Sequence, residues 1–156
     1  VDAFVRRRTE EVRHRERCEE VIEFLDLEPW RDQRVVGCAY GVQKRVELGR
    51  ALALDPPLMI YDEPLTGLDP IASGVIMSLI SRLNDSLGLT SLIVTHHVHE
   101  TLPIADRAVV IANGSIVFDG TPSELETSSD PLVKQFLKGE PDGPIPFDAP
   151  DRSEAA

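Results

Sequence analysis

Lysine is scarce in this chain of 156 residues: Lys44, Lys134 and Lys138 are the only three, set against 27 Asp and Glu. Thirteen arginines leave the net charge at −11. Phosphate backbones are held by clustered Lys and Arg, so the balance excludes nucleic acid as a partner. Cysteine is almost missing too. Cys18 and Cys38 make neither a CxxC nor a zinc spacing, which excludes a disulfide framework and fits a reducing cytosol. No apolar run reaches the length of a membrane span, and none reads as a signal peptide.

What is present is enough for a core. Hydrophobic residues make up 42% of the chain, which excludes wholesale disorder. The length suits one ordinary domain or part of a larger one. Charge is unevenly placed: residues 1–50 carry 11 bases and 11 acids, so the whole imbalance lies after residue 50. The sequence enters an arginine-rich helical pattern straight from Val1, which predicts that the N-terminal part of a longer protein is missing.

Periodicity predicts a helix over about 5–27, with Val12, Val21, Phe24 and Leu25 on its apolar stripe and Glu28-Pro29-Trp30 ending it. A second helix is expected over about 42–54, stopped by Asp55-Pro56-Pro57. Leu58-Met59-Ile60-Tyr61 has no polar alternation and reads as a parallel-sheet strand buried on both faces. Asp69-Pro70 opens a helix with proline at its first position, and Gly88 closes it. Its apolar face is expected at Ile71, Val75, Leu79, Ile80, Leu83 and Leu87. A second buried strand spans 89–95, followed by a short helix over 98–105 and a strand over 107–112. Asn113-Gly114 signals a hairpin into 115–119. Thr121-Pro122 and Asp130-Pro131 start the last two helices, and from Gly139 four prolines with several acids suggest an extended tail. Alternating strands and helices with buried strands make the fold class α/β with a parallel sheet.

Chemistry gathers at the ends of the two buried strands. Asp62 and Glu63 follow the first, at the edge where open α/β sheets bind ligands. In a nucleotide hydrolase the first carboxylate holds Mg²⁺, usually through water, and the second polarises the attacking water. Taken alone, Asp-Glu-Pro after a strand is ordinary turn material. Three further features accompany it. Gly41, in Cys38-Ala39-Tyr40-Gly41-Val42-Gln43, precedes a helix, where backbone N–H groups can approach a phosphate. Asp69 lies six residues after Glu63. His96 ends the second strand at the same edge, placed to bond a terminal phosphate.

This order and spacing resembles the ATP-binding subunits of ABC transporters. The resemblance makes Asp62 the Walker B aspartate, Glu63 the catalytic glutamate, Leu68-Asp69 the D-loop and His96 the switch histidine, with residues 38–43 as the signature motif. It implies a P-loop NTPase-like domain, here incomplete: a helical subdomain remnant with the signature over 1–54, the C-terminal part of the parallel-sheet core over 55–138, and a tail over 139–156. It also implies ATP and Mg²⁺ as cofactors, a second ATPase subunit in a head-to-tail dimer, transmembrane permease subunits, and a cytoplasmic place on the inner face of the cell membrane. Ala39, Tyr40, Gly41, Val42 and Asp69 would meet the nucleotide, and Asp62 the metal. The departures are specific. Ala39 stands where a serine is usual, Tyr40 replaces a glycine, and His97 stands where aspartate is usual. No lysine follows a glycine, so the chain has no Gly-Lys-Ser/Thr phosphate loop, and by itself it is not expected to hydrolyse ATP.

Two subfamilies are represented. Tyr40–Leu48, with the preceding Glu/Arg helix, is similar to branched-chain amino-acid importer ATPases. From Asp62 on, Ser91–His96, Ile104–Arg107, Gly120–Pro122, Asp130–Gly139 and Asp142–Phe147 are similar to phospholipid-trafficking ATPases of the Mla/Mce type, which implies phospholipid cargo and a lipid-binding Mce-type partner. A non-catalytic regulatory or structural fragment is the reading from another class. The tail reads equally as disorder or as a docking arm for the partner ATPase. Arg6, Arg7 and Arg8 read as a solvated helix face rather than a headgroup contact. Trp30, Met59 and Tyr61 read as packing. His96, His97 and His99 are not read as a metal site, because the first two would point to opposite sides of a strand end and no acidic or cysteine ligand completes the set.

Overall fold

The computed structural model describes residues 2–145, with side chains from Arg7 onward. The chain forms two compact units, residues 1–97 and 98–156.

In the first unit, α1 (Asp2–Phe24) is followed by short 3-10 turns at Glu28–Trp30 and Val35–Gly37, then α2 (Tyr40–Leu52), β1 (Leu58–Asp62), α3 (Pro70–Leu87) and β2 (Thr90–Val94). α1 ends earlier than the proline suggested. Asp26 takes φ +51°, while Leu27 N–H donates to Ile22 O at 2.9 Å and Asp26 N–H to Glu23 O at 3.1 Å. This left-handed closure satisfies the last carbonyls before Pro29 is reached. Arg45 of α2 reinforces the end. Its guanidinium donates to Leu25 O at 3.1 Å and Asp26 O at 3.3 Å, and lies 5.0 Å from the centre of the Trp30 ring. α1 meets α2 closely at Gly49, where a Cβ would stand 3.0 Å from Leu25 Cδ1.

β1 and β2 pair in parallel, with Ile60 opposite Leu92 and Asp62 opposite Val94. Met59 and Tyr61 turn inward and share a groove with Leu48, Ala51, Ile76 and Ile80 of α2 and α3. The expectation of burial on both faces is corrected here. Leu58, Ile60, Leu92 and Val94 lie on an open face, Ile60 being 62% exposed. Helices α2 and α3 cover one side of the pair, and among the described residues nothing covers the other. The stripe of α3 shifts for the same reason. Ser73, Ile76, Met77, Leu79, Ile80 and Leu83 are buried, while Ile71, Val75 and Leu87 are exposed. The helix is apolar on more than one side, and only the side that meets α2 and the sheet is covered. Both ends of α3 match the sequence reading, with Asp69 as N-cap and Gly88 left-handed at the C-cap.

The second unit contains α4 (Val98–Thr101), a 3-10 turn at Leu102–Ile104, the antiparallel hairpin β3 (Ala108–Ala112) and β4 (Ser115–Gly120), α5 (Pro122–Glu126) and α6 (Pro131–Lys138). Asn113 and Gly114 both take positive φ, as a two-residue hairpin loop requires. Thr121 and Glu124 form a reciprocal capping box at α5. Leu102, Leu125 and Val133 form the core. Gln135, 6% exposed, acts as a substitute peptide group: its amide donates to Ile145 O at 2.9 Å and accepts from Ile145 N–H at 2.7 Å. The start of the tail is thereby tied down. Residues 146–156, including Phe147 and the rest of the predicted docking arm, lie outside the described residues, as does the side chain of Arg6.

Leu25 has no exposed surface and sits where α1 and α2 close on each other. Leu25→Ala is expected to destabilise the fold by about 2–5 kcal/mol through lost burial and an unfilled cavity, read as a lowered denaturation midpoint.

Candidate functional site

The parallel register sets the C-terminal ends of β1 and β2 side by side, Asp62 against Val94. Glu63 leaves β1 with φ +46°, and its N–H donates to Val94 O at 2.8 Å. That is an uncommon conformation for a residue other than glycine, held by the strand pairing. It turns the Glu63 side chain toward the end of β2. Glu63 Oε1 accepts from His96 N–H at 3.2 Å and lies 2.8 Å from His96 Nδ1, while Oε2 accepts from the Thr95 hydroxyl at 3.3 Å. With the carboxylate ionised, Nδ1 carries the hydrogen of that contact, which leaves Nε2 facing away from Glu63. The hydrogen bond from His96 holds the Glu63 carboxyl below the usual glutamate range.

His97 joins the group. Its N–H donates to Thr95 Oγ1 at 3.0 Å, and its ring centroid lies 4.3 Å from that of His96, tilted by 34°. The sequence reading had these rings on opposite sides of a strand and without an acidic companion. Both points are corrected: β2 ends at Val94, so strand alternation no longer governs residues 95–97, and the threonine hydroxyl folds the chain back into a turn. Glu63 supplies the acid. His99 belongs to the second unit, with Nε2 3.2 Å from Leu137 O. Thr95 is the contributor that sequence reasoning missed. Its signal was available, a threonine two residues before a main-chain N–H in a turn.

Asp62 is exposed at the tip of β1. An exposed carboxylate at the C-terminal edge of a parallel pair is the hard oxygen donor that Mg²⁺ takes, so the residues fit that ion. The residues expected to form the signature make a second group. Ala39 is the N-cap of α2 and has no side-chain oxygen to cap it; Gln43 instead reaches back to Cys38 O at 2.8 Å. Tyr40 and Gly41 lie inside the helix, which begins two residues before the expected start. The Tyr40 ring packs against Gly67, where a Cβ would sit 3.2 Å from Cε1, and a Cβ on Gly41 would lie 3.6 Å from that of Ala72. Gly67 also takes φ +79°, so glycine is required there twice over. Val42 is buried. Asp69 Oδ1 accepts from Ile71 and Ala72 N–H, both at 2.9 Å, which makes this carboxylate the cap of α3.

The family model for ABC transporters matches residues 2–66. The solved ADP conformation of MJ1267, an ATP-binding cassette of an ABC transporter, superposes with a TM-score of 0.73 at 30% identity, over 82% of this chain and 51% of that one. The chain has the fold of part of such an ATP-binding cassette. It is 54% identical over 110 residues to the intermembrane phospholipid transport ATP-binding protein MlaF of Haemophilus influenzae, which is 70% of this chain and 42% of that protein. It is 38% identical over 125 residues to the lipopolysaccharide export ATP-binding protein LptB of Escherichia coli K12, 80% of this chain and 51% of LptB. The chain thus spans between about two fifths and a half of the curated relatives it matches. Among the described residues no helix is long and apolar enough to cross a membrane.

Because the folded-state pKa of Glu63 is depressed, the unfolded chain binds the extra proton first as pH falls. The contribution of this contact is therefore present above the ordinary glutamate value and lost as pH drops through the folded one. His96→Ala is expected to move the Glu63 titration upward toward that ordinary value, as followed by carboxyl carbon NMR.

Proposed function

We propose that the complete protein is the ATP-hydrolysing subunit of an ABC transporter and that its cargo is phospholipid moved between membranes. The observation that carries the hydrolytic part is the convergence of Thr95 and His96 on the Glu63 carboxylate. Glu63 is kept ionised by the His96 hydrogen bond, so it can accept a hydrogen bond from a water and turn that water's lone pair toward a terminal phosphate. His96 orients Glu63 through Nδ1, and its Nε2 is the nitrogen left to meet a phosphate oxygen. Thr95 fixes the second carboxylate oxygen and the turn that carries both histidines. Asp62 would hold Mg²⁺, and that ion supplies charge neutralisation at the phosphates when bound.

Ala39, Tyr40, Gly41 and Val42 form the N-terminus of α2, where Val42 N–H already donates to Ala39 O at 2.9 Å and the N–H groups before it are the ones a phosphate would meet. In the head-to-tail dimer that we infer, this end of α2 would close over the nucleotide held by the other subunit, with Asp69 and the Gly67 turn beneath it. Tyr40 against Gly67 couples the two segments mechanically. Transmembrane permease subunits would take up the closure, on the cytoplasmic face of the membrane. The phospholipid assignment rests on the likeness to MlaF, an intermembrane phospholipid transport ATP-binding protein, and on the Mla/Mce-like stretches after Asp62. An Mce-type lipid-binding protein is the partner that this cargo implies.

In the complete protein, Glu63→Gln is expected to keep ATP binding, read by nucleotide titration, while turnover falls by roughly a hundredfold or more. Undiminished phosphate release would remove Glu63 as the group that activates water.

A further inference from the structure

We propose that Glu63, His96 and His97 form a binding site for a divalent transition-metal ion of the zinc type, distinct from the Mg²⁺ expected at Asp62. One carboxylate oxygen and one nitrogen from each imidazole all lie within 4.8 Å of one another. Two imidazoles and a carboxylate are the donor set that zinc, copper and nickel take in preference to Mg²⁺, which favours oxygen alone. A tetrahedral ion with bonds of about 2.0–2.2 Å needs ligand atoms roughly 3.4 Å apart. The widest separation must therefore close by up to about 1.4 Å, while the Glu63–His96 pair, at 2.8 Å, opens slightly. The exposure of the His96 side chain, 63%, and of Glu63, 34%, leaves room for that rearrangement.

The main chain holds the three residues in place. Glu63 N–H is tied to Val94 O, His96 N–H to Glu63 Oε1, and His97 N–H to Thr95 Oγ1, so both strand ends deliver their ligands to one spot. The two rings stand beside each other instead of diverging. One carboxylate offsets part of the ionic charge, and the exposed rim leaves the fourth position to water. The feature depends on His97, at a position where a side chain of another type would not supply the second imidazole. Resting on the reading of Glu63 as the group that activates water, an ion held here would withdraw that carboxylate from hydrolysis, so that the site works as a metal-sensitive brake.

The test titrates zinc chloride alone into the complete protein by calorimetry, without nucleotide, and follows the imidazole nitrogens by NMR. The expected result is one ion per chain, with shifts at the His96 and His97 ring nitrogens and none at His14 or His99. His97→Gln and Glu63→Gln should each weaken binding at least about tenfold, with thermal melting used to check that both variants remain folded, and His99→Gln should bind as the parent does. Unchanged affinity in His97→Gln, or shifts confined to His14 or His99, would overturn the site. Phosphate-release assays separate the two layers of the argument. Zinc that binds as expected yet leaves hydrolysis untouched supports the site and overturns the reading of Glu63, while inhibition that disappears in His97→Gln supports both.

Discussion

The parallel pairing of β1 with β2 is the constraint on which the candidate site depends. Placing Asp62 opposite Val94 allows Glu63 N–H to reach Val94 O, and that single bond holds Glu63 in a left-handed backbone conformation. Without it the glutamate would continue the strand, and its side chain would have no fixed relation to residues 95–97. The cost of the positive φ is on the order of 1–3 kcal/mol, and it is met by the hydrogen bonds that Glu63 then gains from Thr95 and His96. Local strain and site geometry are therefore one feature of this fold.

The same pairing explains why the two neighbouring carboxylates differ. Asp62 ends the strand on the open side and stays exposed, suited to an ion that keeps its water. Glu63 turns under the histidines, half-buried and held ionised. Adjacent acids of similar intrinsic acidity differ here because consecutive residues of a strand end face different surroundings, which is the basis of the separate uses proposed for them. At the start of α2, Ala39 contributes no capping oxygen, and the contact of Tyr40 with Gly67 ties the helix start to the turn that leads into α3.

Punctuation in the sequence was a good guide to local structure. Asp69-Pro70, Asn113-Gly114, Thr121-Pro122, Asp130-Pro131, Gly88 and Gly139 mark element ends by backbone preferences that act within a few residues. Where a closure used an aspartate in the left-handed region, as at Asp26, the signal was weaker and the helix end was misplaced. Burial was less legible. The apolar runs of β1 and α3 said that these elements are hydrophobic on several sides, but which side is covered depends on how many layers pack against them.

The amino-acid sequence by itself determined the element order, the α/β class, and the placing of Asp62, Glu63 and His96 at strand ends, because turn chemistry and hydrophobic periodicity are local. The tertiary structure alone decided that Glu63 meets Thr95, His96 and His97. That meeting joins residues more than 30 positions apart, and it requires a register between two strands, a backbone turned left-handed at Glu63 and a hydroxyl-closed turn at Thr95. Each of these is a choice among several conformations open to the same residues. Only the packing of the two strand ends selects among them.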